Sequence, residues 1–174
     1  MPPFPPQTWW LTGLPGAGKT TLANALADAL RARAMPVCIV DGDEIRQGLC
    51  RDLGFSDIDR AENMRRVAEL ARLLNGSGIH TVIALVSPTR QGRAQAREIV
   101  GGERFIEVHV ATPISVCEAR DPKGLYRRAR NGELAGLTGI SATYEAPAVP
   151  DICIDTSQCE LAEAINQLLN QAIK

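Results

Sequence analysis

Near its start the chain reads GLPGAGKTT, Gly13 to Thr21, and these residue types at this spacing suit the binding of phosphate. The pattern G-x-x-x-x-G-K-[ST] is met by Gly13, Gly18, Lys19 and Thr20. Glycines such as Gly13, Gly16 and Gly18, with Ala17 among them, let backbone N–H groups turn inward around an anion. A helix starting at the loop adds the positive end of its dipole. Lys19 has the reach for the β- and γ-phosphates of a nucleotide, and the hydroxyl of Thr20, followed by Thr21, suits Mg²⁺. The bland reading is an ordinary glycine-rich turn. The context speaks against it: a strand-like QTWWLT precedes the loop, and Leu22, Ala25, Leu26, Ala29 and Leu30 follow at helical spacing.

Three further stretches bear on where a phosphate would go. DGDEIR, Asp41 to Arg46, places two carboxylates around a glycine at the end of a strand-like run. Asp41 and Asp43, so placed, can hold Mg²⁺ through water or accept a proton from an attacking hydroxyl. DRAENMRR, Asp59 to Arg66, puts Arg60 and Asn63 three apart on one helix face, a pairing suited to an anionic, hydrogen-bonding substrate. Arg65 and Arg66 are read instead as surface ion-pair partners, Glu62 with Arg66 for instance. ARDPKGLYRRAR, Ala119 to Arg130, is a basic cluster. Phosphoryl transfer spreads charge over the γ-phosphate oxygens, so a basic segment closing over them serves that chemistry. A solvated basic helix is the plain alternative.

The elements that must position these groups alternate. Strands are expected over 7–12, 37–43, 80–88, 104–112 and 151–156, with helices between them, one capped by Ser56 or Asp57 and one from Leu161 to the C-terminus. Such alternation predicts a parallel sheet of about five strands with helices on both faces, a three-layer α/β fold of the P-loop NTPase type. Ligands of these sheets bind at the carboxyl ends of the strands, which gathers the loop, Asp41, Asp43 and Ser87 on one rim. Residues 121–150 break the rhythm and read as a lid inserted beside that rim. The organisation expected is a disordered lead-in over 1–7 and one domain over 8–174.

A formal net charge of −1 over 174 residues gives no general reason to expect nucleic acid or a membrane surface as partner. Five cysteines without a C-x-x-C pair read as thiols of a reducing, cytoplasmic compartment, with Cys38, Cys117 and Cys153 expected to be buried. No apolar run is long enough to span a bilayer.

Taken together, WLTGLPGAGKTT, VDGDEIRQGLCRDLGFSDIDRAENMRRVAELA, VSPTR and DPKGLYRRARNGELAGLTGISATYEAP resemble the adenylylsulfate kinase (APS kinase) family. The resemblance covers nearly the whole chain after Gln7, and DPKGLY and LGFS-x-x-DR-x-EN are far more specific than the glycine loop. It implies transfer of the γ-phosphate of ATP to the ribose 3′-hydroxyl of adenosine 5′-phosphosulfate (APS), giving PAPS. ATP would lie on Gly16 to Thr21 with Mg²⁺. Asp43, Arg46, Phe55, Arg60 and Asn63 would face APS, with Val86 and Ser87 along it and Lys123, Gly136 and Leu137 closing over it. The family's serine is also described as a phosphoserine intermediate. Direct transfer needs no covalent step, so Ser87 is read here as a backbone contact. A homodimer and functional coupling to an ATP sulfurylase are further implications.

Three departures from the family pattern carry expectations. Glu44 replaces a usual asparagine and would weaken APS binding only if it points inward. Thr89 replaces a common tyrosine. Leu137 stands where an aromatic often stacks, a difference of about 0.5–1.5 kcal/mol. A P-loop kinase with a different small-molecule acceptor is the nearest alternative. A GTP-dependent switch lacks its N-K-x-D stretch here, and a degenerate structural partner would not retain Lys19, Asp41, Asp43 and Lys123.

Overall fold

The structure is a computed structural model that describes residues 5–172. Its elements run β1 (Thr8–Thr12), α1 (Lys19–Arg31), β2 (Val37–Asp41), α2 (Gly42–Gln47), α3 (Asp57–Gly76), β3 (His80–Ala84), α4 (Arg90–Val100), β4 (Phe105–Val110), α5 (Ile114–Arg120), α6 (Leu125–Arg130), β5 (Ile152–Ile154) and α7 (Leu161–Gln171). The five strands form one parallel sheet in the order β2-β3-β1-β4-β5. Within it Trp10 is level with Ile83 on one side and Glu107 on the other.

Side chains alternate across a strand, so β1 feeds both faces of the sheet. Trp9 and Leu11 pack with Leu22, Leu26 and Leu30 of α1 and with Ile165 and Leu168 of α7. Trp10 points the other way, into Met64, Val67 and Ala71 of α3 and Ala96 of α4. Both indoles are fully buried. At about 25 cal/mol per Å² and 150–250 Å² each, their burial contributes at most about 4–6 kcal/mol apiece. Each polar edge finds a partner: Trp9 Nε1 donates to Leu168 O at 2.9 Å and Trp10 Nε1 to Ser87 Oγ at 2.9 Å.

Local signals set the helix boundaries. Ser56 caps α3: its hydroxyl accepts from the Asp59 N–H at 3.1 Å and meets the Asp59 carboxylate at 2.7 Å, a reciprocal cap. Thr89 caps α4 by accepting from the Gly92 N–H, so the residue that departs from the family's tyrosine has a structural task. α4 approaches α3 closely at Gly92, where an added Cβ would fall 2.1 Å from Met64 Cε.

Several expectations need correction. The run 37–43 reads as a buried strand, but β2 is an edge strand and only half-buried, because strand order rather than its apolar run decides its place. Its tip does not carry the second carboxylate: the chain turns at Asp41 into α2, so Asp43 and Arg46 stand on a short helix. Of the cysteines expected to be buried, Cys117 is, Cys38 is half-buried and Cys153 is exposed on the edge strand β5, whereas Cys50 is fully buried. Residues 1–4 of the expected lead-in lie outside the described residues. Gln7, its last residue, belongs to the sheet: it is buried, its N–H donates to His80 Nδ1 at 3.0 Å, and its carbonyl accepts from the Thr81 N–H. Residues 121–150 contain α6 and no strand, only an isolated bridge between Thr138 and Ala142.

Candidate active site

A cleft of about 930 Å³ runs along the carboxyl ends of the strands. It is lined by the glycine loop and the turn from Thr156 to Leu161, and by Phe55, Arg60 and Asn63 with the 134–138 segment. Asp43 and Lys123 line the cleft too.

The loop takes its shape from close backbone approach. Gly13 sits against β4, where a Cβ would be 2.5 Å from the Val110 carbonyl oxygen. Gly18 has φ of 102°, a left-handed conformation that glycine adopts without cost, and it leads into α1. Ala17 is fully buried beneath the loop, and its carbonyl accepts from the hydroxyls of Thr112 at 2.9 Å and Thr156 at 2.7 Å. Arg120 donates to Thr156 Oγ1 at 2.7 Å, which ties α5 into this brace. Thr112 and Thr156 were not among the residues picked from the sequence, and Arg120 was read there only as part of the basic cluster Ala119 to Arg130. Each threonine follows a strand far along the chain, and no local pattern marks it.

Lys19 is folded back on its own loop, donating to Gly13 O and Leu14 O at 2.8 Å each. Burial draws its pKa down to about 8, with Cys117 and Asp41 opposing that shift. Thr20 Oγ1 donates to Asp41 Oδ2 at 2.7 Å, while Asp41 Oδ1 accepts the Asp43 N–H at 3.0 Å and so caps α2. One carboxylate thus orders both the candidate metal oxygen and the helix that presents Asp43. Asp43 forms an ion pair across the cleft with Lys123, both side chains being more than half exposed.

Arg46, also lining the cleft, donates to the carbonyls of Leu53 and Gly54, and its guanidinium lies 4.2 Å from the centroid of the Phe55 ring. Phe55 is 65% exposed, which no packing requirement of a core aromatic explains. Arg60 reaches three partners: Phe55 O at 2.9 Å, Thr138 Oγ1 at 3.0 Å and Gly136 O at 2.8 Å. Asn63, one turn on and 5% exposed, has its Nδ2 buried without a hydrogen-bond partner among the described residues. A buried amide donor costs about 1–3 kcal/mol unless something accepts from it. Arg60 and Asn63 both line the cleft, as their spacing implied.

Behind this row lies the Val86–Ser87 segment. Val86 O accepts from Thr12 Oγ1 at 2.7 Å and from the Gly13 N–H at 3.4 Å. Ser87 is 3% exposed, has φ of 48°, and its Oγ accepts from the Trp10 indole. Its carbonyl accepts from Arg93 Nη1 at 2.6 Å. Arg93 itself is 2% exposed and also donates to Glu107 Oε1 at 2.8 Å and Glu145 O at 2.6 Å. This buried arginine, absent from the sequence reading, clamps three separate segments.

Of the residues singled out from the sequence, Gly16, Gly18, Lys19, Thr20, Thr21, Asp41, Asp43, Arg46, Phe55, Arg60, Asn63, Val86, Ser87, Lys123, Gly136 and Leu137 all line this cleft; Gly13 and Ala17 underlie it. Leu137 is 8% exposed and packs into the core as well as facing the cleft. Glu44 is exposed and does not line the cleft, so its charge points away. Arg65 and Arg66 pair with Glu62, and Arg66 also with Asp52, a surface network that holds the Glu62 carboxyl near a pKa of about 2 through its bonds to Arg65 and Arg66.

The model of the Adenylylsulphate kinase family matches residues 5–155. An adenylyl-sulfate kinase of Shewanella pealeana is 52% identical over 165 residues, 95% of this chain and 80% of its own length. The structure of the Mycobacterium tuberculosis APS kinase in complex with AMPPNP and APS is 38% identical, with a TM-score of 0.92 over 96% of this chain and 97% of that one. A hexameric APS kinase from Thiobacillus denitrificans is 30% identical, with a TM-score of 0.72 over 97% of this chain and 29% of that one. A nucleotide loop, a facing carboxylate–lysine pair and an arginine–asparagine helix face in one cleft thus accompany a sequence match along most of the chain: the chain belongs to the adenylylsulfate kinase family.

Proposed function

We propose that this chain carries out its family's reaction, transfer of the γ-phosphoryl group of ATP to the ribose 3′-hydroxyl of APS, and that the division of labour follows the cleft. The observation that carries this reading is what one cleft holds together: the glycine loop with Lys19, the group Arg46, Phe55, Arg60 and Asn63, and the Asp43–Lys123 pair. The loop N–H groups and Lys19 hold the ATP phosphates, and Lys19 exchanges its two carbonyl partners for phosphate oxygens. Thr20 and Asp41 present two hard oxygens 2.7 Å apart, which fit a Mg²⁺ that reaches the site with ATP. That ion would neutralise phosphate charge.

Phe55, Arg46, Arg60 and Asn63 receive APS. The unpartnered Asn63 Nδ2 supports this, because a ligand acceptor there would remove the cost of its burial. Asp43 orients the attacking hydroxyl and accepts its proton, for which the Lys123 contact must open; the freed ammonium then faces the γ-phosphate oxygens. Ser87 serves through its backbone. Its hydroxyl already accepts the Trp10 N–H and is shut from solvent, a poor setting for a nucleophile.

The 121–150 insertion acts as the lid in this reading. All five cysteines are free, which supports a reducing cytoplasm. Among the described residues no helix is long and apolar enough to cross a membrane. The hexameric relative supports an oligomer; a homodimer and coupling to a sulfurylase complete the proposal. A coupled assay of ADP release with MgATP, with and without micromolar APS and with AMP as control acceptor, tests the function. Turnover that requires APS is expected. Turnover with another acceptor but none with APS would refute it.

A further inference from the structure

DPKGLY contains more than the lysine that faces Asp43. Asp121 ends α5 with φ of 25°, and its two carboxylate oxygens accept the N–H groups of Tyr126 at 3.1 Å and Arg127 at 3.0 Å. That carboxylate therefore fixes where α6 begins. Tyr126, 1% exposed, threads its ring into the core beside Cys117, and its hydroxyl donates to the Pro15 carbonyl at 2.8 Å. Pro15 lies at the crown of the phosphate loop, two residues into the G-x-x-x-x-G-K run. Lys123 stands between the two anchors, three residues before Tyr126 and two after Asp121, and it spans the cleft to Asp43.

We propose that Tyr126 is a positioning residue that fastens the root of the lid to the crown of the phosphate loop and so sets where Lys123 stands relative to the phosphate bound there. The proposal rests on the reading of Lys123 given above. The chemistry is indirect: the side chain is 1% exposed, and its hydroxyl hydrogen is spent on the Pro15 carbonyl. Its effect comes through distance. Lys123 has a flexible stem and an exposed head, so its own contacts do not fix it; the backbone beneath it must. Near-attack geometry is steep in distance, and a misplacement of about 1 Å costs about 10²-fold in rate. Tyr126→Phe keeps the ring in the core and removes the hydroxyl's tie to Pro15, together with its contact to the Cys117 thiol. The lid root then keeps its Asp121 cap and its packing but loses its link to the phosphate loop.

A double-mutant cycle tests the idea, with steady-state kcat and the KM values for ATP and APS measured for Tyr126→Phe, Lys123→Ala and the pair. Tyr126→Phe is expected to lower kcat about tenfold or more while moving KM for ATP less than about threefold. In the Lys123→Ala background the same change should cost less than about twofold, because the residue it positions is gone. Asp121→Asn, which keeps one acceptor oxygen and loses the other, is the second variant and should show the same loss of effect without Lys123. A Tyr126→Phe enzyme with kcat within twofold of wild type overturns the proposal. So does a penalty of equal size in both backgrounds, which would mark a general structural role. Wild-type turnover in Lys123→Ala alone would instead refute the role given to Lys123, and with it the basis of this inference.

Discussion

Replacing Arg93 by methionine tests whether the clamp behind the Val86–Ser87 segment holds the site together. The guanidinium is 2% exposed and donates to Glu107 Oε1 at 2.8 Å, to Ser87 O at 2.6 Å and to Glu145 O at 2.6 Å. Methionine fills much of the stem's volume but leaves the Glu107 carboxylate, itself only 14% exposed, without its counter-charge. Breaking a buried pair in this way costs about 3–5 kcal/mol. For a chain of this length each kcal/mol moves Tm by about 2–4 °C, so a fall of about 6–20 °C is expected by calorimetry or circular dichroism. Arg93→Met with Glu107→Leu removes the orphaned charge and should recover at least about 1 kcal/mol, since replacing both partners is far less costly than replacing one. The recovery should not extend to function. Ser87 O keeps only its longer bond, from Thr12 Oγ1 at 3.2 Å, so its left-handed backbone, a conformation costing about 1–3 kcal/mol, is freer to relax, and KM for APS should stay raised in both variants. A single variant that loses less than about 1 kcal/mol, or a double variant no more stable than the single, would refute the reasoning.

Ser87→Ala separates the two roles of that residue: turnover should persist, because the contact to substrate is backbone, while Tm falls by the equivalent of about 1–3 kcal/mol as the buried Trp10 N–H loses its acceptor. Loss of all product with normal stability would instead favour an obligatory phosphoserine. Asp43→Asn should lower kcat by about 10²–10⁴-fold with little change in Tm, since the exposed ion pair with Lys123 is worth about 0–1 kcal/mol. Near-normal turnover would end the role given to Asp43. Lys19 sets a pH dependence. Its pKa in the ligand-free protein is lowered to about 8, so the ammonium that phosphate binding needs is present below pH 8 and is lost as pH rises through it. MgATP affinity measured by titration calorimetry should therefore fall by up to about tenfold per unit above pH 8. Over the same range, up to 10.5, the unfolded chain holds the proton more tightly than the folded one, so ligand-free stability gains from this group as pH rises. Affinity flat to pH 9.5 would show that Lys19 keeps its ordinary pKa.

Groups whose geometry is local were legible in the sequence. A glycine loop between strand and helix can adopt few shapes, and the three-residue spacing of Arg60 and Asn63 fixes a shared face whatever surrounds the helix. The Ser56 cap and the two-faced pattern of Trp9, Trp10 and Leu11 follow from backbone periodicity in the same way. Tertiary structure decided what depends on which strands are neighbours. β2 became an edge because β1 inserted between β3 and β4, so an apolar run that reads as central is half-exposed. Thr112 and Thr156 meet under Ala17 because β4 and β5 pair in parallel and bring their ends to one level, though the two threonines lie 44 residues apart. No local pattern marks Arg93 or Glu107, and only the packing of α4 against the sheet removed both from water and made each the other's requirement. Tyr126 shows both sides at once. Its place in DPKGLY was visible, but its bond to a proline 111 residues earlier is a property of the closed fold, because a side chain's partner is set by distance in space and the chain's local rules end within a few turns.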